Sequence, residues 1–147
     1  MSLKVISETK SHNNMSTIKL QNIRQSEGLL EELVPLKQKI EERINISKYS
    51  ENVKPVLLSN NFLQRITLAA GLTNKEERKM KEIDKIIISK TGLRIHETTF
   101  ARFNLHDLWS ALLKLRYNHL EIDWNSHTLK SKVVNYEMLK GRNILMQ

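Results

Sequence analysis

The nine residues HLEIDWNSH, at positions 119 to 127, hold the side chains in this chain best suited to chemistry. In an extended strand alternate side chains point to opposite sides, so His119, Glu121 and Asp123 would share one face and Leu120, Ile122 and Trp124 the other. An imidazole and two carboxylates on one face could hold a divalent metal and activate water, as a nuclease requires. A half-buried edge strand shows the same alternation, its charged face guarding against edge-to-edge pairing, and that is the reading preferred here. His96, His106 and His127 add no ligand motif, since no pair has the four-residue spacing of an HExxH site and HETTF is a different sequence. The chain also lacks a glycine-rich phosphate loop, a nucleophile elbow and a convincing serine triad. A non-enzymatic protein without a cofactor or metal site is expected, with a metal-dependent nuclease at His119, Glu121 and Asp123 as the third reading.

A second set of residues suits phosphate contact. Thr73 and Glu76 have the spacing of a capping box, Glu77 lies in the same first turn, and a helix over about 74 to 90 is predicted. At 100 degrees per residue, Met80, Ile83 and Ile87 fall on one side of it and Arg78, Lys81 and Lys85 on the other. Cations three and four residues apart on a rigid helix could grip phosphates without reading bases, although a solvated outer face has the same pattern. The stretch LAAGLTNKEERKMKEI, 68 to 83, resembles a helix-turn-helix in part. With Gly71 as the turn glycine, Ile66, Ala70, Leu72 and Met80 occupy apolar positions. Glu77, however, takes a position that must be buried, and Thr67 replaces the usual alanine or glycine. Further along, Phe100, Arg102 and Phe103 form a base-stacking candidate, since bases stack on aromatic rings and guanidinium planes, though two such phenylalanines are more often core.

These residues have to be positioned by one ordinary domain. The chain has 147 residues, enough to bury about two-thirds of its unfolded surface around a single core. It has no cysteine, which excludes disulfides and thiolate zinc sites. No apolar run approaches the roughly 18 to 20 residues of a membrane-spanning helix, so no membrane partner is expected. The first 25 residues carry Lys4, Lys10, Lys19 and Arg24 against a single acid, Glu8, among serines and threonines. This stretch is faintly like a transit peptide and is read instead as opening with a disordered tail over 1–16, with 17–147 as the helical domain. An intracellular setting, cytoplasmic or nucleoid-associated, is expected.

The net charge of +8 favours a polyanion, here DNA or RNA of unspecified type. The surplus is spread along the chain, so a binding face has to be assembled by folding. Abundant Lys, Ile and Asn would also raise the charge as a matter of composition alone.

Gly71, Gly92 and Gly141 are placed as helix ends, and Pro35 and Pro55 as helix starts. Leu29, Leu33, Leu36, Ile40 and Ile44 predict a helix over about 26 to 48, broken or restarted near Pro35, whose stripe suits intramolecular packing or an oligomer. Another helix is predicted from about Pro55 to Ala70. Alternation at 93 to 96 predicts a short strand, which could pair with 119 to 124. Asn104 and Asp107 open a helix reaching about Tyr117, with Leu105, Leu108, Trp109, Leu112 and Leu115 in its stripe and Trp109 in the core. A last helix, about 127 to 140, is expected to turn Leu129, Val133 and Tyr136 inward and Lys130, Lys132 and Lys140 to solvent.

The whole reads as a mainly α, single-domain bundle of about five helices with a possible two-stranded β element. The expected function is that of a nucleic-acid-binding accessory protein using Arg78, Lys81, Lys85 and Arg102. The alternative is a helical interaction or adaptor subunit that meets a protein partner, or another copy of itself, through the 26 to 48 helix.

Overall fold

The computed structural model describes residues 17–46, 50–91 and 93–147, so the expected tail over 1–16 and the expected helix end at Gly92 lie outside the described residues. The chain is mainly α. In order come α1 (Leu29–Ile46), α2 (Ser50–Leu57), α3 (Asn60–Thr73), α4 (Met80–Asp84), α5 (Thr98–Ala101), a 3₁₀ turn (Arg102–Asn104), α6 (His106–Tyr117) and α7 (His127–Met146). The described residues form no strand; Arg24 with Arg94 and Ser26 with Ile88 make two isolated antiparallel bridges. Residues 93 to 96 therefore do not pair with 119 to 124 as expected. Their partner is the segment before α1, through Ile95 N to Ile23 O at 2.7 Å and Gln25 N to Leu93 O at 3.1 Å.

Helix boundaries differ from expectation for identifiable reasons. α1 runs through Pro35 unbroken, after a turn in which Gly28 adopts φ +75, a conformation that favours glycine. Its Leu29, Leu33 and Leu36 are buried in the chain's own core. Pro55 lies inside α2 rather than opening a helix. Ser59 makes the break before α3, its Oγ accepting from Phe62 N. Gly71 and Gly141, expected as helix ends, are both interior: α3 continues to Thr73 and α7 to Met146.

Those two glycines set how α3 and α7 meet. A Cβ built on Gly71 would lie 2.1 Å from the Glu137 carbonyl oxygen, and one on Gly141 would lie 1.7 Å from that of Thr67. The helices touch backbone to backbone, which only a residue without a side chain allows. Around this crossing the core gathers Leu68, Leu72, Val133, Val134 and Met138, joined by Trp109, whose Nε1 donates to the Phe100 carbonyl at 3.1 Å. The expected place of Trp109 in the core is met, whereas Leu108 and Leu115 of the same predicted stripe are exposed. The inward face of α6 is Trp109, Leu113 and Tyr117, each one turn from the next.

An extended segment, residues 17 to 27, lies along α7 and inserts Ile18, Leu20 and Ile23 into the core. Where its backbone does not bond residues 87 to 95, side chains serve it. Ser110 Oγ accepts from Ile18 N, Ser131 Oγ from Arg24 N and Asn135 Oδ1 from Ser26 N, at 2.8 to 2.9 Å. Asn135 Nδ2 returns a bond to the Arg24 carbonyl at 2.7 Å. Ser131 and Asn135 are four residues apart on one face, so α7 presents a buried polar stripe to this segment. No helix among the described residues is long and apolar enough to cross a membrane.

In an ordinary helix Gly→Ala is favourable by about 1 kcal/mol. Gly141→Ala should instead destabilise the protein by about 3 kcal/mol or more in urea unfolding, because the new methyl meets backbone that cannot yield.

Candidate nucleic-acid interface

The predicted cationic helix over 74 to 90 is not formed. Residues 74–79 are non-helical and only Met80–Asp84 makes a turn and a half. The capping box fails locally: the Thr73 hydroxyl donates back to the Ala70 carbonyl at 3.0 Å, and Asn74 Oδ1 accepts from Glu76 N at 2.9 Å. Such side-chain bonds give the backbone an alternative to the helix.

Arg78 is the principal correction. Expected on the outer face, it is 1 % exposed. Its Nε donates to Glu137 Oε2 at 2.9 Å and its Nη2 to Glu137 Oε1 at 2.8 Å, a two-pronged ion pair. The remaining guanidinium hydrogens go to the carbonyls of Gly71, Asn74 and Glu76. The Tyr117 hydroxyl donates to Glu137 Oε2 as well. Burial, then the neighbouring Glu137 carboxylate, pushes the Tyr117 phenol far above its ordinary range. Burial alone would lower the Arg78 pKa, but the bonds and charge of Glu137 hold it above the ordinary value. A group so enclosed offers nothing to a phosphate.

Lys81 and Lys85 remain exposed. Lys81 rides on α4 and Lys85 directly follows it; α4 is fastened to α7 by the Tyr136 hydroxyl donating to Glu82 Oε2 at 3.1 Å and by Lys132 Nζ donating to the Asp84 carbonyl at 3.4 Å. Burial, then the Glu82 charge and hydrogen bond, pushes Tyr136 up to about 12.

Arg102 belongs to a separate group, on the 3₁₀ turn beside α3. Phe100, a member of the expected stacking cluster, is wholly buried, but Phe103 is 74 % exposed. Phe103 and Asn104 both have positive φ, 63 and 56, so neither takes ordinary helical backbone and Asn104 does not open α6. For a bulky aromatic this left-handed region is an outlier costing about 1 kcal/mol or more. Arg65 of α3 places its guanidinium carbon 5.8 Å from the centre of the Phe103 ring, anchored by its Nε donating to the Thr99 carbonyl at 3.2 Å. Partial burial, then the like charge of Arg102, lowers the Arg65 pKa from its ordinary value. Two arginines and one exposed ring thus stand together. Arg65 was missed in the sequence because the 3₁₀ turn that it meets lies nearly forty residues away.

His119, Glu121 and Asp123 are exposed on a loop rather than a strand. His119 Nε2 donates to the Arg78 carbonyl at 2.7 Å, and Asp123 Oδ1 accepts from Asn125 N at 3.0 Å. Among the described residues no group of three or more His, Asp or Glu is arranged to hold a metal ion.

The described residues are mainly helical, and the exposed Phe103 ring stands with Arg65 and Arg102 on their surface. Comparison with protein-family models, curated proteins and solved structures found no match to this chain.

Glu137→Gln would leave the Arg78 cation buried without its counter-charge, a loss of about 3–5 kcal/mol. Urea unfolding should show that loss, and the double variant Arg78→Met with Glu137→Leu should recover part of it. A cost for Glu137→Gln below about 1 kcal/mol would mean that Arg78 is solvated.

Proposed function

We propose that this protein is a non-enzymatic nucleic-acid-binding accessory protein that prefers single strands. The observation that carries the reading is the Phe103 ring, held out in solvent on strained backbone, with Arg65 against it and Arg102 beside it. A base can stack on such a ring, and guanidinium groups can meet the adjoining phosphates. A duplex hides its base faces, which favours single-stranded RNA or DNA as the partner. Lys81 and Lys85, with the overall charge of +8, supply longer-range attraction to the phosphate backbone. Arg78 has no part in this reading.

Base stacking on an aromatic contributes about 1–3 kcal/mol. Fluorescence anisotropy with a short single strand should therefore show Phe103→Ala weakening binding roughly 5- to 150-fold at unchanged salt slope. Arg102→Ala should lower the salt slope by about 0.7, the value for one phosphate contact to a single strand. Equal affinity of wild type and Phe103→Ala would refute the stacking platform.

A second reading, a protein-interaction module, is favoured by one observation: Leu108 and Leu115 are exposed on the outer face of α6, two turns apart. The stripe from Leu29 to Leu36 is taken up by the chain's own core, so an interface would sit on α6 instead. Under this reading light scattering would show a defined oligomer that Leu108→Asp with Leu115→Asp converts to folded monomers, while a monomeric wild type would rule out self-association.

A further inference from the structure

A cavity of about 810 Å³ opens where the extended segment, the loop before α7 and the ends of α6 and α7 meet. That volume lies within the roughly 300–1,000 Å³ of small-ligand sites. Its lining includes Lys19, Lys114 and Lys130 and one carboxylate, Asp123, with His127 beside them and Trp124 as an aromatic wall. Asp123 is already engaged by the Asn125 amide.

Lys130 is the unusual member. It is 3 % exposed, although on α7 it was expected to face solvent. Its Nζ makes one hydrogen bond, to the Lys19 carbonyl at 2.7 Å, and no ion pair with a described residue. An ammonium has three hydrogens to give, and this bond uses one of them. A buried cation without a counter-charge is costly. Its place in the first turn of α7 adds to that cost, because the helix dipole there disfavours positive charge and favours an anion. Burial, then the charge of Lys19, lowers its pKa, in keeping with a missing counter-charge. The other buried charges among the described residues, Arg78 and Glu137, are paired with one another, so a Lys130 without a carboxylate is no general habit of the described core.

We propose that this cavity binds a phosphate monoester, with Lys130 as the buried cationic contact, Lys19 and His127 at the mouth, and Trp124 as a surface for an attached ring. An anion there would supply the counter-charge that Lys130 lacks, and the amides of the first turn of α7 would add to its binding. Two sources share this chemistry: a free mononucleotide and the terminal phosphate of a nucleic-acid strand. The inference is independent of stacking at Phe103.

The test is calorimetric titration at fixed ionic strength with adenosine monophosphate, adenosine, and a short oligonucleotide bearing either a 5′-phosphate or a 5′-hydroxyl. Adenosine monophosphate should bind and adenosine should not. Lys130→Met should weaken that binding at least about tenfold, as loss of a buried charge partner does. Without ligand, Lys130→Met should melt at or above the wild-type temperature, because it removes an uncompensated charge. Should that variant fail to fold, Lys19→Ala and His127→Ala, both at exposed positions, should each weaken binding. Phe103→Ala should leave it unchanged, which separates this site from the stacking platform.

A 5′-phosphate preference that depends on Lys130 would identify a strand terminus as the source, and equal oligonucleotide binding with Lys130-dependent nucleotide binding would identify the free nucleotide. The proposal is overturned if adenosine monophosphate and the 5′-phosphorylated strand give no heat beyond that of adenosine and the 5′-hydroxyl strand. It is equally overturned if Lys130→Met binds as wild type does.

Discussion

Two opposite charges withdrawn from water at the centre of the molecule constrain everything around them. Removing an arginine and a glutamate from solvent costs several kcal/mol for each ion, and their attraction offsets that only when every remaining hydrogen and lone pair is served. Here all the guanidinium hydrogens have acceptors: Glu137 twice, and the carbonyls of Gly71, Asn74 and Glu76. The carboxylate also takes the Tyr117 hydroxyl. The pair thereby ties the end of α3, the linker after it, α6 and α7 into one arrangement. Reaching those carbonyls requires residues 74–79 to stay non-helical, so the ion pair and the short α4 are consequences of one another.

The same logic extends along α7, whose inward face is unusually polar. Ser131 and Asn135 hold the backbone of the extended segment, Glu137 holds Arg78, and Gly141 lets α3 approach. Satisfied polar groups of this kind rigidify a core and select one arrangement of it. Lys130 is the member of that face whose charge no described carboxylate balances. Phe103 is the counterpart on the surface, an apolar ring left outside on backbone that an aromatic rarely adopts. Both depart from what stability alone would select, and such departures are expected at functional positions.

Local patterns in the sequence reveal the helical class, the core stripe from Leu29 to Leu36, the position of Trp109 and the start of the last helix at His127. Those features depend on near neighbours along the chain. The fate of Arg78 depends on a carboxylate fifty-nine residues away, and helical periodicity around 74 to 90 cannot register it. One signal was nevertheless present. Glu137 lies one turn beyond Val133, on the face read as inward, whereas Lys130 was placed on the solvent side. A charge on an inward stripe calls for a partner, which for Glu137 is Arg78. Gly141 stands a turn beyond Glu137 and was read as a helix end, whereas it serves the close approach of α3 and α7. The group of Arg65, Arg102 and Phe103 was half visible, because its two sequence neighbours were apparent and its α3 member was not.

The division between a buried, structural Arg78 and a separate surface for polyanions is tested most directly by hydrogen exchange at the Arg78 side chain. In a ¹⁵N-labelled sample its Nε–H should give a resolved resonance that exchanges only when the whole domain opens and does not shift when a single-stranded oligonucleotide is added. Rapid exchange, together with a shift on adding the strand, would return Arg78 to the surface and contradict the account.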